Sequence, residues 1–146
     1  MLYFAYGGDM VERAMRRVCP TARYMSIATL EHHQLVFTRL SVNLGGGVAD
    51  IKEQPGAVVE GVLWELDPRE AVALDDLMGV PRERVKRQVT VTVTGRGETT
   101  ATAYYAIPEG DFRPSKRYKV QLLKAAKELG FSTAYTSFLE GLITVD

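Results

Sequence analysis

A single cysteine, Cys19, cannot close an internal disulfide, so no covalent staple is available to the fold. Histidine is almost as scarce: the only two are adjacent, His32 and His33, and no Cys/His grouping has the spacing of a zinc site. On a strand, adjacent side chains point to opposite faces, so one ion could hardly take both histidines. They read as turn residues, and neither a metal nor a cofactor is expected. Net charge is missing too, with Lys+Arg and Asp+Glu both at 18. That balance argues against nucleic acid or an anionic membrane as a partner, since both select a basic excess. No apolar run approaches the length of a membrane span, and the start carries no basic n-region, so a cytoplasmic protein is expected. The sequence sets no oligomeric state, and a homodimer stays open.

What remains is an ordinary globular composition, 46% hydrophobic and 25% charged over 146 residues. A chain of this length buries roughly 70% of its unfolded surface, and 1–146 reads as one domain with no repeat, linker or low-complexity tract.

The chain is organised around its opening stretch, Met1-Leu2-Tyr3-Phe4-Ala5-Tyr6-Gly7-Gly8-Asp9-Met10. The aromatic and apolar residues suit a buried strand, and Gly7-Gly8 permits a sharp turn. Asp9 with Glu12 predicts a capping box at a helix running from Met10 to Val18, with a stripe of Val11, Ala14, Met15 and Val18. Arg13, Arg16 and Arg17 fall on its solvated side. Strand, glycine turn and helix start together aim free N–H groups at one spot, which suits a carboxylate or phosphate.

Further along, Thr21–Leu30, Gln34–Arg39, Val48–Glu53 and Ala57–Leu66 read as four strands. They are separated by Glu31-His32-His33, by the flexible Asn43-Leu44-Gly45-Gly46-Gly47, and by the turn signal Gln54-Pro55-Gly56. Glu60 and Glu65 on the last of them read as satisfied edge carboxylates. Asp67-Pro68 opens a helix that Gly79 stops. Arg84–Thr94 and Glu98–Ile107 form a hairpin around Gly95-Arg96-Gly97. Ser115 caps a helix from Lys116 to Leu129, with Tyr118, Leu122, Ala125, Ala126 and Leu129 on its core face, and Ser132 or Thr133 starts a last helix through Leu142. The order β-α-β-β-β-β-α-β-β-α-α has no strict βαβ alternation. It predicts an α+β fold: a small mixed, mostly antiparallel β-barrel flanked by helices.

Tyr3-Phe4-Ala5-Tyr6-Gly7-Gly8-Asp9-Met10 resembles the Tyr-Gly-Ser-Asn loop that opens γ-glutamylcyclotransferase-like proteins. The resemblance continues through Gly61-Val62-Leu63-Trp64-Glu65-Leu66, Leu74-Asp75-Asp76-Leu77-Met78-Gly79-Val80, Ala103-Tyr104-Tyr105 and Pro114-Ser115-Lys116-Arg117-Tyr118, in the family's order. It implies a small mixed barrel with a pocket beside the first loop. It also implies a reaction in which a γ-glutamyl compound becomes 5-oxoproline and a free amine. The substrate's α-amino group attacks its own γ-carbonyl carbon, and a carboxylate of raised pKa takes the proton and returns it to the leaving amine.

The resemblance puts that carboxylate, a glutamate, immediately before Gly79-Val80, where this chain has Met78. A thioether cannot accept the proton. Gly8 and Asp9 replace the family's serine and asparagine, and a tyrosine usual a few residues after the glycine is missing at Arg84-Val85. The implied ligand site therefore comprises Ala5, Tyr6, Gly7, Gly8, Asp9, Met78 and Tyr118, for a small molecule bearing a carboxylate. Family-type cyclisation is expected to be impaired or altered, unless Asp75, Asp76 or Glu83 substitutes as base. By helical geometry Asp75 points about 60° from Met78 and Asp76 about 160–200°. A weaker reading is an adaptor that meets anionic partners through Arg82, Arg84, Lys86 and Arg87, or through Arg113, Lys116, Arg117 and Lys119.

Overall fold

The computed structural model describes residues 1–146. Its elements are β1 (Leu2–Ala5), a 3-10 turn (Gly8–Met10), α1 (Glu12–Val18), β2 (Arg23–Ser41), β3 (Gly46–Glu65), α2 (Pro68–Met78), β4 (Arg84–Val93), β5 (Gly97–Ala106), α3 (Lys116–Leu129) and α4 (Thr133–Glu140). The strands close into a barrel in the order β1-β3-β2-β4-β5. All pairings are antiparallel except β1 with β5, where Tyr3 lies beside Thr102. The short first strand is therefore the stave that closes the barrel, and the loop after it opens at the barrel's end.

Where four strands were expected between residues 21 and 66, the chain forms two long ones. The histidine segment and Gln54-Pro55-Gly56 do not end strands; they kink them. Glu31 pairs with Val58 and His33 with Glu53, so His32 alone faces the segment between Glu53 and Val58. His32 takes a left-handed φ of 58° there, and the Gly56 N–H donates to its Nδ1 at 3.2 Å. Register shifts also fall between Tyr24 and Ser26 and between Phe37 and Arg39. Flat strands of 19 and 20 residues would span about 60 Å. Bulges bend them enough to wrap a core around Phe4, Val62, Trp64 and Val91, all fully buried.

The other helix boundaries follow their capping chemistry. Asp67 accepts from the Arg69 N–H at 2.8 Å, Pro68 takes the first helical position, and Gly79 ends α2 in the left-handed conformation with φ 70°. Ser115 accepts from the Tyr118 N–H at 3.2 Å, and α3 buries Tyr118, Leu122, Ala125 and Ala126. Ser132 caps α4, which stops at Glu140, short of the expected Leu142. Glu60 accepts from the Ser132 N–H at 2.9 Å, and Glu65 lies 3.6 Å from the terminal ammonium.

The expected capping box does not form. Val11 is the N-cap of α1 and no side chain caps it. Asp9 belongs instead to the preceding 3-10 turn, and Glu12 pairs with Arg16. The physical reason is competition: the Asp9 carboxylate is captured from behind by the Tyr3 hydroxyl.

Candidate functional site

β1 runs into Gly7, whose missing side chain matters for space. A Cβ there would stand 3.2 Å from Tyr118 Oη and 3.5 Å from Ala49 Cβ. Tyr118 thus lies directly against the glycine turn, brought from α3 by the Ser115 cap. Its ring meets Phe37 edge-on, with centroids 6.4 Å apart. Burial pushes the Tyr118 phenol up to about 12, an effect partly offset by the main-chain N–H groups of Ala49 and Gly8. Gly8 differs from Gly7: it is exposed, and a Cβ on it would meet nothing within 4 Å.

A cleft of about 1060 Å³ opens beside this turn. Its wall includes Tyr6, Gly7, Gly8 and Asp9 from the first loop, Met78 from the end of α2, and Tyr118 from α3. Tertiary structure therefore brings together six of the seven residues implied as the ligand site. The seventh, Ala5, is fully buried and does not reach the cleft.

Asp9 is the charged centre of the loop. Tyr3 donates its hydroxyl to Oδ2, and the Trp64 indole N–H donates to the Asp9 carbonyl at 3.1 Å. The residue keeps part of its surface open to the cleft, yet its carboxyl lies deep enough that burial raises its pKa above the ordinary 3.8. The Tyr3 hydroxyl, the N–H groups of Asp9 and Gly7, and the Arg84 charge pull in the other direction without cancelling the shift.

On the opposite side of the sequence motif, Met78 is half-buried, and its carbonyl accepts from Arg84 Nη1 at 3.0 Å. Arg84 has no carboxylate within 4 Å, and its charge is felt at Tyr6, Asp9 and Tyr118. The place of Arg84 on the cleft wall is what sequence reading missed. Asp9 was legible as a charge beside the glycine turn, but its partner Tyr3 was not.

The three carboxylates considered as substitute bases fare differently. Asp75 has both oxygens engaged, by Tyr104 Oη at 2.6 Å and Lys86 Nζ at 2.8 Å, and it does not line the cleft. Asp76 is exposed and also outside it. Glu83 does line the cleft, 3.6 Å from Arg39. Several basic side chains of the two surface patches are occupied internally: Lys86 by Asp75, Arg117 by the Asn43 carbonyl, and Lys119 by the carbonyls of Glu140 and Leu142. Cys19 is buried, its thiol 3.6 Å from the Glu70 carbonyl, and burial raises its pKa. No three His, Cys, Asp or Glu side chains come together in a metal-holding group.

The model of the AIG2-like family matches residues 58–139, more than half of the chain. γ-Glutamylcyclotransferase of Bos taurus is 32% identical over 97% of this chain and 78% of its own length. The chain belongs to the AIG2-like family, among its γ-glutamylcyclotransferase-like members. The Homo sapiens γ-glutamylcyclotransferase is 30% identical over the same shares. A solved γ-glutamyl cyclotransferase superposes with a TM-score of 0.95 at 29% identity, covering 100% of this chain and 89% of the other. At 21% identity, YkqA from Bacillus subtilis shares the fold with a TM-score of 0.79. In this γ-glutamylcyclotransferase-like barrel, the cleft lies where the first loop, the end of α2 and α3 converge.

Proposed function

We propose that the cleft receives a γ-glutamyl compound or a related carboxylate-bearing small molecule, and that cyclisation to 5-oxoproline by the family's route is impaired or altered. One observation carries this reading: a thioether, Met78, shares the cleft wall with the Gly7-Gly8-Asp9 loop. The volume, about 1060 Å³, is ample for a dipeptide-sized ligand. The resemblance assigns position 78 to the proton carrier, and general acid–base catalysis is worth roughly 10²–10⁴-fold. At about 1.4 kcal/mol per factor of ten, its loss removes some 3–5 kcal/mol of barrier lowering. Holding amine and carbonyl in attack geometry does not depend on the side chain at position 78. Cytoplasmic residence belongs to the same proposal, consistent with one buried cysteine that has no disulfide partner.

The experiment is a paired measurement on the whole chain. γ-Glutamylglycine should raise the melting temperature, and 5-oxoproline release should fall well below that of the bovine relative assayed alongside. No shift with any γ-glutamyl compound would remove the ligand site; release at the relative's rate would remove the impairment.

A further inference from the structure

We propose that Asp9 is the proton carrier of this cleft, with the ligand's α-ammonium lodged at its carboxylate and the ligand's α-carboxylate lodged at Arg84. The inference rests on the reading of the cleft as a γ-glutamyl site and adds the residue that moves the protons.

The loop and the α2 end have polarities opposite to those of a site whose glycine turn receives the anion. Asp9 puts a carboxylate at the turn, held by the Tyr3 hydroxyl. A carboxylate offers about four lone-pair positions, so this contact leaves acceptor capacity. Across the same cleft, Arg84 is half-buried, bonded to the Met78 carbonyl, and has no carboxylate of its own. A guanidinium in that state is a ready bidentate partner for a ligand carboxylate. Both residues line the cleft, so it offers a zwitterionic α-amino acid head a carboxylate for its ammonium and a guanidinium for its carboxylate.

The chemistry balances without a co-reactant. Asp9 takes one proton from the α-ammonium, freeing the lone pair that forms the new C–N bond at the γ-carbonyl carbon. It passes that proton to the amide nitrogen as the old C–N bond breaks and the bonding pair leaves with that nitrogen. A second proton follows the same path, from the α-nitrogen to the departing amine. The products are 5-oxoproline and an ammonium ion, and Asp9 ends ionised as it began. Burial, which raises the Asp9 pKa above the ordinary 3.8, makes its carboxylate a better proton acceptor than an exposed one.

The test compares wild type, Asp9→Asn and Asp9→Asn/Met78→Glu, with γ-glutamylglycine and its N-acetyl derivative as probes. Wild type should release 5-oxoproline and show an acidic limb in its pH–rate profile. Asp9→Asn should lose 10²–10⁴-fold in rate together with that limb, while it melts cooperatively. Restoring a carboxylate at position 78 in the double variant should recover turnover, which a merely misfolded loop would not allow. The N-acetyl probe, lacking an ammonium, should shift the wild-type melting temperature less than the parent compound. No product from wild type, or Asp9→Asn at the wild-type rate, overturns the proposal. If γ-glutamylglycine still raises the melting temperature in that event, the ligand site survives without its base; if it does not, both readings fall together.

Discussion

Tyr3 donates its hydroxyl to the carboxylate of Asp9, tying the strand that closes the barrel to the one acid of the glycine loop. Because the phenol comes from a buried residue of that strand, the carboxylate is positioned by the barrel wall and not by the helix it precedes. Tyr3 in turn meets Tyr104 edge-on, with ring centroids 5.5 Å apart, and Tyr104 reaches Asp75 on α2. The loop and α2 are thus joined through the core as well as across the cleft.

Stability should carry a pH signature of Asp9. Its folded-state pKa lies above the ordinary 3.8 because of burial, so the native state binds this proton more tightly than the unfolded chain. The group's contribution is full below 3.8 and is lost as pH rises through the folded value. Asp9→Asn should flatten the stability curve over that interval and melt higher than wild type at neutral pH. Urea midpoints measured across pH check this; an unchanged curve would contradict it.

Met78→Glu placed on Asp9→Asn should increase 5-oxoproline release over the single variant by a factor within the roughly 10²–10⁴-fold range of acid–base catalysis. Met78 lines the cleft and is only half-buried, so a carboxylate there keeps access to solvent and ligand. The measurement is initial rate with γ-glutamylglycine, alongside the melting temperature to confirm the fold.

Gly7→Val should abolish the ligand-induced rise in melting temperature. Its Cβ alone would stand 3.2 Å from Tyr118 Oη, and the added methyl groups would crowd the turn further. Gly8→Ala is the contrasting control, because nothing lies within 4 Å of a Cβ at that position. It should bind nearly as wild type does.

Ser115→Ala should destabilise the protein by about 1–3 kcal/mol, a lost cap plus a carbonyl left without its donor. Ser115 Oγ accepts from the Tyr118 N–H at 3.2 Å and donates to the Leu44 carbonyl at 2.6 Å. The same substitution should weaken ligand binding, since Tyr118 then loses its anchor beside Gly7. Chemical denaturation and a thermal shift titration separate the two effects.

Local rules made much of this protein legible from its residues. Asp67-Pro68 and Gly79 bound α2, and Ser115 and Gly130 bound α3, because capping depends on neighbours only a few positions away. The spacing of Tyr118, Leu122, Ala125 and Ala126 set the buried face of α3 for the same reason. Motif order carried the family and the barrel.

What required tertiary structure was every choice between local and distant partners. Asp9 had a good local option as a helix cap and took a hydroxyl from the barrel wall instead. Gln54-Pro55-Gly56 and the histidine pair carry turn chemistry, yet the closing barrel uses them as bulges, since long paired strands must bend to meet around a core. Asp75 looked well placed on its helix until Lys86 and Tyr104, from the adjacent hairpin, engaged both of its oxygens. The residue order determines which groups are present and what each could do locally. Contacts between segments far apart in the chain decide which of those options is taken, because burial and a second partner outweigh a single exposed hydrogen bond.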